Sequence, residues 1–139
     1  MTESTLARAT LSQNDVLQRF RDLGVKISID DFGTKYSTLD YLRTYGVSRI
    51  RIPQVLLNSA LKEPGSAAFV RAIVGIAREL SIDVVAQGVE TEAQWSLLSA
   101  TPTVTKVQGY YFSEPVPAGL AEQQLRQGHI GRPPARRAG

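Results

Sequence analysis

At 139 residues the chain is long enough for one domain with a single core, and its 42% hydrophobic and 21% charged residues are those of a globular protein. With no cysteine, disulfides, thiolate metal sites and cysteine nucleophiles are excluded, and a lone histidine, His129, argues against a histidine metal site or a serine–histidine triad. No apolar run is long enough to span a bilayer and no signal-peptide pattern follows Met1, so the expectation is a cytoplasmic protein with no membrane partner.

In chain order, Ser12 with Asp15 three residues on predicts a capped helix with an apolar stripe of Val16, Phe20 and Leu23, closed by Gly24. The alternation of Val25, Ile27 and Ile29 predicts a strand over 26–30, followed by a Gly/Ser/Thr loop and a short helix near 37–45 carrying Leu39 and Leu42. A strand over 49–52 and a helix near 54–61 follow. Glu63-Pro64-Gly65 reads as a break, after which Ser66 is expected to cap a long helix. Its stripe of Phe69, Val70, Ile73, Val74, Ile76, Ala77 and Leu80 is that of a well-buried helix. A strand over 82–86 comes next. Thr91 with Gln94 forms a capping box opening a helix through Trp95, Leu97 and Leu98. A strand over 104–107 and a helix near 118–127 complete the series. Segment 129–139 carries Arg132, Arg136 and Arg137, which together account for the whole net charge of +3. With Gly131, Pro133, Pro134 and Gly139 it reads as a disordered basic tail, and nucleic-acid binding is not expected.

Alternating strands and helices with apolar strands predict an α/β fold in which about four parallel strands are covered by helices. Four such units are half of an eight-stranded TIM-like (β/α) barrel. Three strands end in polar pairs, Asp30-Asp31, Gln87-Gly88 and Gln108-Gly109, and the fourth ends at Arg51-Ile52-Pro53. In a barrel those ends line one face, where ligands bind. Asp30 and Asp31 are the strongest functional candidates, because carboxylates at a strand mouth can present a divalent metal to a phosphate substrate. Neighbours on a regular strand point to opposite faces, but a bend at Gly33 lets both reach one site. Aspartates in loops also form caps and turns, and the pattern alone leaves both readings standing. Trp95 reads as core, and Tyr110, Tyr111 and Phe112 as packing. No glycine-rich phosphate loop or zinc motif is present.

Residues Asp30 to Leu39 resemble the Asp-Asp-Phe-Gly-Thr-Gly-Tyr-Ser-Ser-Leu signature of the EAL family, the cyclic-di-GMP phosphodiesterases. Thr2-Glu3-Ser4 resembles the end of that family's Glu-x-Thr-Glu motif. Val85-Ala86-Gln87-Gly88-Val89-Glu90-Thr91 resembles Val-Ala-Glu-Gly-Val-Glu-Thr, and the segment from Gln108 to Pro115 resembles the family's closing Gln-Gly-Tyr segment. The resemblance covers almost all of residues 2–120. It implies the C-terminal half of the barrel, Mg²⁺ or Mn²⁺ as cofactor, and Asp30 and Asp31 as metal ligands. It also implies that Gln108 helps hold the site, that Glu3 anchors the Asp30–Ser37 loop, and that Glu90 supports the active-site face. Glu3 as a frayed terminal acid, and Glu90 as an acid interacting with a helix N-terminus, are equal readings.

The departures from the pattern carry the functional expectation. The Glu-Ala-Leu motif with its metal-binding glutamate is absent, as is the family's downstream metal-binding asparagine, and the first glutamate of Glu-x-Thr-Glu falls before Met1. Gln87 stands for a catalytic-site glutamate, keeping its shape without its charge. Arg51 stands for the catalytic lysine, presenting a planar fork in place of a compact ammonium. Pro53 removes an aspartate and an amide donor, and Lys35 replaces a loop glycine. Residues 1–128 are therefore expected to form a truncated, degenerate EAL-type domain with weak or no metal binding, weak cyclic-di-GMP binding and no hydrolysis to linear pGpG. Its expected role is regulatory or interaction-based, and open sheet edges predict self-association or docking onto another chain. The alternatives are a fragment of a longer, active phosphodiesterase and a non-hydrolysing receptor that binds cyclic-di-GMP through Arg51 and strand-end amides.

Overall fold

A computed structural model describes residues 2, 11–34, 39–100, 104 and 106–128, the side chains of 11–14 and 39–41 excepted. The expectations for Glu3, Lys35 and the tail 129–139 lie outside the described residues.

The elements alternate as the sequence predicts: α1 (Leu11–Asp22), β1 (Ser28–Ile29), α2 (Leu39–Thr44), β2 (Arg49–Ile52), α3 (Gln54–Lys62), α4 (Pro64–Glu79), β3 (Asp83–Gln87), α5 (Glu92–Ser99), β4 (Lys106–Gln108) and α6 (Ala118–Arg126). All pairings are parallel in the order β1-β2-β3-β4. The register sets Ser28 beside Arg49, Arg51 beside Val85, and Gln87 beside Gln108. Thr2 makes a parallel bridge to Asp30 on the outer side of β1.

Each strand has one face under the helices, and period-two alternation sorts its residues accordingly. Ile29, Ile50, Ile52, Val84 and Ala86 are buried there with Phe32, Leu57, Val74, Ala77 and Val89. The opposite face, which would be the barrel interior, carries Arg49, Arg51, Asp83 and Gln87, all half-buried.

Five local expectations are corrected. The long helix begins at Pro64 with Glu63 as its N-cap, not at Ser66. Proline is favoured at the first helical position because its fixed φ suits the helix and its missing N–H needs no partner. Ser66 Oγ instead donates to Glu63 Oε2 at 2.9 Å. That helix buries Val70, Ile73, Val74 and Ala77, while Phe69 and Leu80 stay exposed, so its core stripe is narrower than expected. Helix α1 already includes Leu11, so Ser12 lies within it rather than capping it. It ends as predicted, with Gly24 at φ +77° and its N–H on the Arg21 carbonyl at 2.8 Å. Its buried apolar residue, however, is Leu17, while Val16, Phe20 and Leu23 are 49%, 47% and 78% exposed. The helix is thus rotated so that the predicted core stripe faces outward. Strand bounds also shift: β1 is confined to 28–29, β3 runs through Gln87, and β4 begins at Lys106. Among the described residues no helix is long and apolar enough to cross a membrane.

Candidate functional site

Two arginines at alternate positions of β2 organise the sheet's open face by pairing in opposite directions. Arg49 Nη2 donates to Asp83 Oδ2 on β3 at 3.0 Å. That hydrogen bond holds the Asp83 carboxyl below the usual aspartate range, against partial desolvation and with help from the charges of Arg49, Lys106 and Lys26. Arg51 Nη1 lies 3.4 Å from Asp30 Oδ1 at the end of β1. Asp30 Oδ1 and Arg51 Nε are both buried and neither has a hydrogen-bond partner.

After Asp30 the backbone turns sharply. Asp31 adopts φ +57°, a left-handed conformation that aspartate tolerates better than most residues, and its side chain is exposed. Its carbonyl accepts from Thr34 Oγ1 at 2.9 Å. Gly33, at φ +88°, has no room for a Cβ: one would stand 2.9 Å from Leu56 Cδ1. Phe32 is buried, and its N–H donates to the Arg51 carbonyl at 3.0 Å, fixing the loop to β2. The two aspartates therefore occupy unlike surroundings, Asp30 against a guanidinium and Asp31 exposed. Among the described residues no three aspartate, glutamate, histidine or cysteine side chains group as a metal site. Two carboxylates, one already facing a fixed cation, do not fit a pair of divalent ions, which need several anionic oxygens each in close contact.

A cavity of about 790 Å³ opens at the C-terminal ends of β2, β3 and β4 and against α6. Gln87, Glu90 and Gln108 line it, with Gln54, Gln124, Glu114 and Tyr110, whereas Asp30, Asp31 and Arg51 do not. Among the described residues the lining thus presents four glutamine amides and two carboxylates and no basic side chain. Tyr110, expected to pack, is instead 61% exposed. Tyr111 and Phe112 do pack, partly buried against the core, and Phe112 meets Trp95 edge-on at 5.3 Å between ring centres.

The cavity floor depends on two glycines. Gly88 has φ +69° and its missing Cβ would stand 2.7 Å from Gln54 Cβ. A Cβ on Gly109 would overlap the Val89 backbone, because β4 wraps that residue: Val89 N–H donates to the Gln108 carbonyl at 3.1 Å, and Tyr111 N–H to the Val89 carbonyl at 3.0 Å. The capping box forms as predicted, with Thr91 Oγ1 accepting from Gln94 N–H at 3.3 Å. Sequence reasoning missed the rest of Gln94. Its Oε1 accepts from the N–H groups of Glu90 at 2.7 Å and Thr91 at 3.0 Å, and its Nε2 donates to Asn58 Oδ1 at 2.7 Å. Gln54 was also missed. No local pattern marks either contact, because both join segments more than thirty positions apart.

Four parallel strands backed by helices, with a polar cavity at the strands' C-terminal ends, define part of a (β/α) barrel with its ligand face. The EAL domain profile matches residues 1–115, and the chain belongs to the EAL domain family. It is 36% identical over 127 residues to the cyclic di-GMP phosphodiesterase PdeR of Escherichia coli K12, covering 91% of this chain and 19% of that protein. It is 40% identical over 118 residues to MucR of Pseudomonas aeruginosa, a bifunctional diguanylate cyclase/cyclic di-GMP phosphodiesterase, covering 85% of this chain and 17% of MucR. The solved MucR phosphodiesterase–c-di-GMP complex superposes with a TM-score of 0.76 at 38% identity, over 87% of this chain and 49% of that one. A manganese/cy-diGMP complex of Klebsiella pneumoniae BlrP1 superposes with a TM-score of 0.72 at 33% identity, over 82% of this chain and 29% of that one. The chain thus spans less than a fifth of the length of these curated relatives and about half of the solved MucR chain.

Proposed function

We propose that this chain is a degenerate EAL-type half-barrel that does not hydrolyse cyclic-di-GMP and acts as a regulatory or interaction module in cyclic-di-GMP signalling. The observation that carries this reading is the Arg51–Asp30 ion pair: the carboxylate best placed to hold a metal faces a permanent cation. Gln87 at the end of β3 adds to it, since an amide cannot act as a base. Metal-assisted attack on a phosphodiester needs a held, activated water, and Gln87 at the end of β3 offers it an amide in place of a base. Incubation with cyclic-di-GMP and Mg²⁺ or Mn²⁺ should give no linear pGpG above a blank. Metal-dependent turnover that disappears in Asp30→Asn would overturn the reading.

A second reading, a receptor that binds cyclic-di-GMP without cutting it, is favoured by the 790 Å³ cavity at the strand ends. Titration calorimetry separates a receptor from an interaction-only module. For the interaction role, the support is apolar surface at both flanks of the sheet: Val16, Phe20 and Leu23 on or just after α1, and Leu120 and Leu125 on α6, are all about half or more exposed. Self-association through these flanks follows, and a stable monomer by light scattering would count against it.

A further inference from the structure

We propose that a second copy of this chain covers the open face of the sheet, related by a twofold axis running along the strands, so that α6 of each copy packs beside α1 of the other. This closure rests on the reading of the chain as a self-associating EAL-type half-barrel, and it adds what covers the open face and which flank meets which.

The open face is unfinished in polar terms. Arg49 Nε, Arg51 Nε and Asp30 Oδ1 lie on it, buried and without a hydrogen-bond partner. Buried donors and acceptors are nearly always satisfied, so a covering layer is expected to supply what these atoms lack. The same face carries Asp83 against Arg49 and Asp30 against Arg51. A surface that presents guanidinium donors and carboxylate acceptors together is complementary to its own copy.

The two helices at the sheet's opposite ends are under-packed. Helix α6, which follows β4, buries none of its nine residues, and Leu120 and Leu125 point outward. Helix α1, which precedes β1, leaves Val16 and Phe20 outward, with Leu23 just beyond it. Four strands separate these patches, so they do not meet within one copy. A twofold axis brings the α6 patch of each copy to the α1 patch of the other, twice, which is how an isologous dimer closes.

Strand direction selects the axis. All pairings are parallel, and rotation about an axis along the strands keeps them so. The β4 edge of one copy then comes to the β1 side of the other, where the Thr2–Asp30 bridge already lies in the parallel sense. A half-turn also maps one half of a (β/α) barrel onto the other half. An axis across the strands would make the two sheets antiparallel and set α6 against α6.

The chain has no cysteine, so thiols can be placed singly. Light scattering of the full chain should give twice the chain mass of 15.2 kDa. The double variant Leu23→Cys/Leu125→Cys, treated with a short bismaleimide, should form a covalent dimer, and each single variant should form none above background. Should the double variant fail to fold by circular dichroism, a mixture of the two single variants should give the same product. Arg51→Glu, which sets a carboxylate on the covered face, should weaken dimerisation at least about tenfold, as like charges across an interface do. A monomer, a dimer that Leu125→Cys alone cross-links, or unchanged dimerisation by a folded Arg51→Glu would each overturn the proposal. Cross-linking through Leu125→Cys alone would leave the self-association reading standing. Formation of pGpG by wild type would overturn the non-hydrolysing reading alone.

Discussion

Gln94 Nε2 lies 2.7 Å from Asn58 Oδ1, and this one hydrogen bond ties the start of α5 to α3 beneath the cavity. Gln94 is 2% exposed, and its carbonyl oxygen also takes the N–H groups of Glu90 and Thr91. Truncating it leaves those donors without their acceptor. Gln94→Ala should cost about 1–3 kcal/mol in chemical denaturation, the range for groups deprived of a buried partner. Asn58→Ala should cost less, about 1 kcal/mol, because Asn58 is exposed, so water can replace it as acceptor for Gln94 Nε2, and removing it leaves the capping box whole. Equal losses would mean that the box contributes little.

Gly109 and Gly75 should respond to alanine with opposite signs. A Cβ at Gly109 overlaps the Val89 backbone, which cannot yield without breaking the wrap of β4 around it. Gly109→Ala should destabilise by about 1–3 kcal/mol, as overpacking does. Gly75 sits inside α4 with nothing within 4 Å of its Cβ position. Gly75→Ala should stabilise by about 0.5–1 kcal/mol through helix propensity alone. Thermal unfolding of the two variants checks both.

The Arg49–Asp83 pair predicts part of the acid limb of the stability curve. The Asp83 carboxyl is lowered on folding, so the unfolded chain binds its proton at higher pH than the folded one does. Its contribution is present above the ordinary aspartate value of about 4 and is lost as pH falls below it through the folded value. With Asp83 39% exposed, solvent screening keeps the pair to about 1 kcal/mol or less. Asp83→Asn should therefore lower stability at neutral pH by that amount and flatten the fall below pH about 4. An unchanged slope would remove the pair from the account.

Leu23, at 78% exposure, is the most exposed of the flank residues on the α1 side. Leu23→Ser should change unfolding free energy by no more than about 0.5 kcal/mol, since the side chain contributes little to the core. The same substitution should weaken self-association seen by light scattering. A large stability loss with unchanged association would show that the residue packs within its own fold.

Much of the architecture was legible because it rests on local periodicity. The parallel strands, the order of helices, the Thr91–Gln94 box and the Gly24 closure all follow from spacings within a few residues. The strand pattern likewise placed Gln87 and Gln108 at strand ends, the EAL resemblance implied a supporting place for Glu90 on the same face, and all three line the cavity. Helix rotation was not legible: Val16, Phe20 and Leu23 form a sound stripe, yet Leu17 is the residue that meets the core, because orientation depends on what a helix packs against. Tyr110 escaped for the same reason, since the turn at Gly109 sends it outward while Tyr111 and Phe112 fold in.

By itself, the sequence determined that this is a run of strand–helix units of the EAL family with Gln87 and Gln108 at strand ends and Arg51 near the end of β2. Only the tertiary structure decided that Arg51 lies against Asp30 while Arg49 turns the other way to Asp83, that Asp31 is exposed, and that Gln94 reaches Asn58. Periodicity encodes which face of an element is apolar. The pairing of charges across strands depends on register, on the turn after Asp30 and on which atoms reach one another in space, and no local pattern in the chain records those.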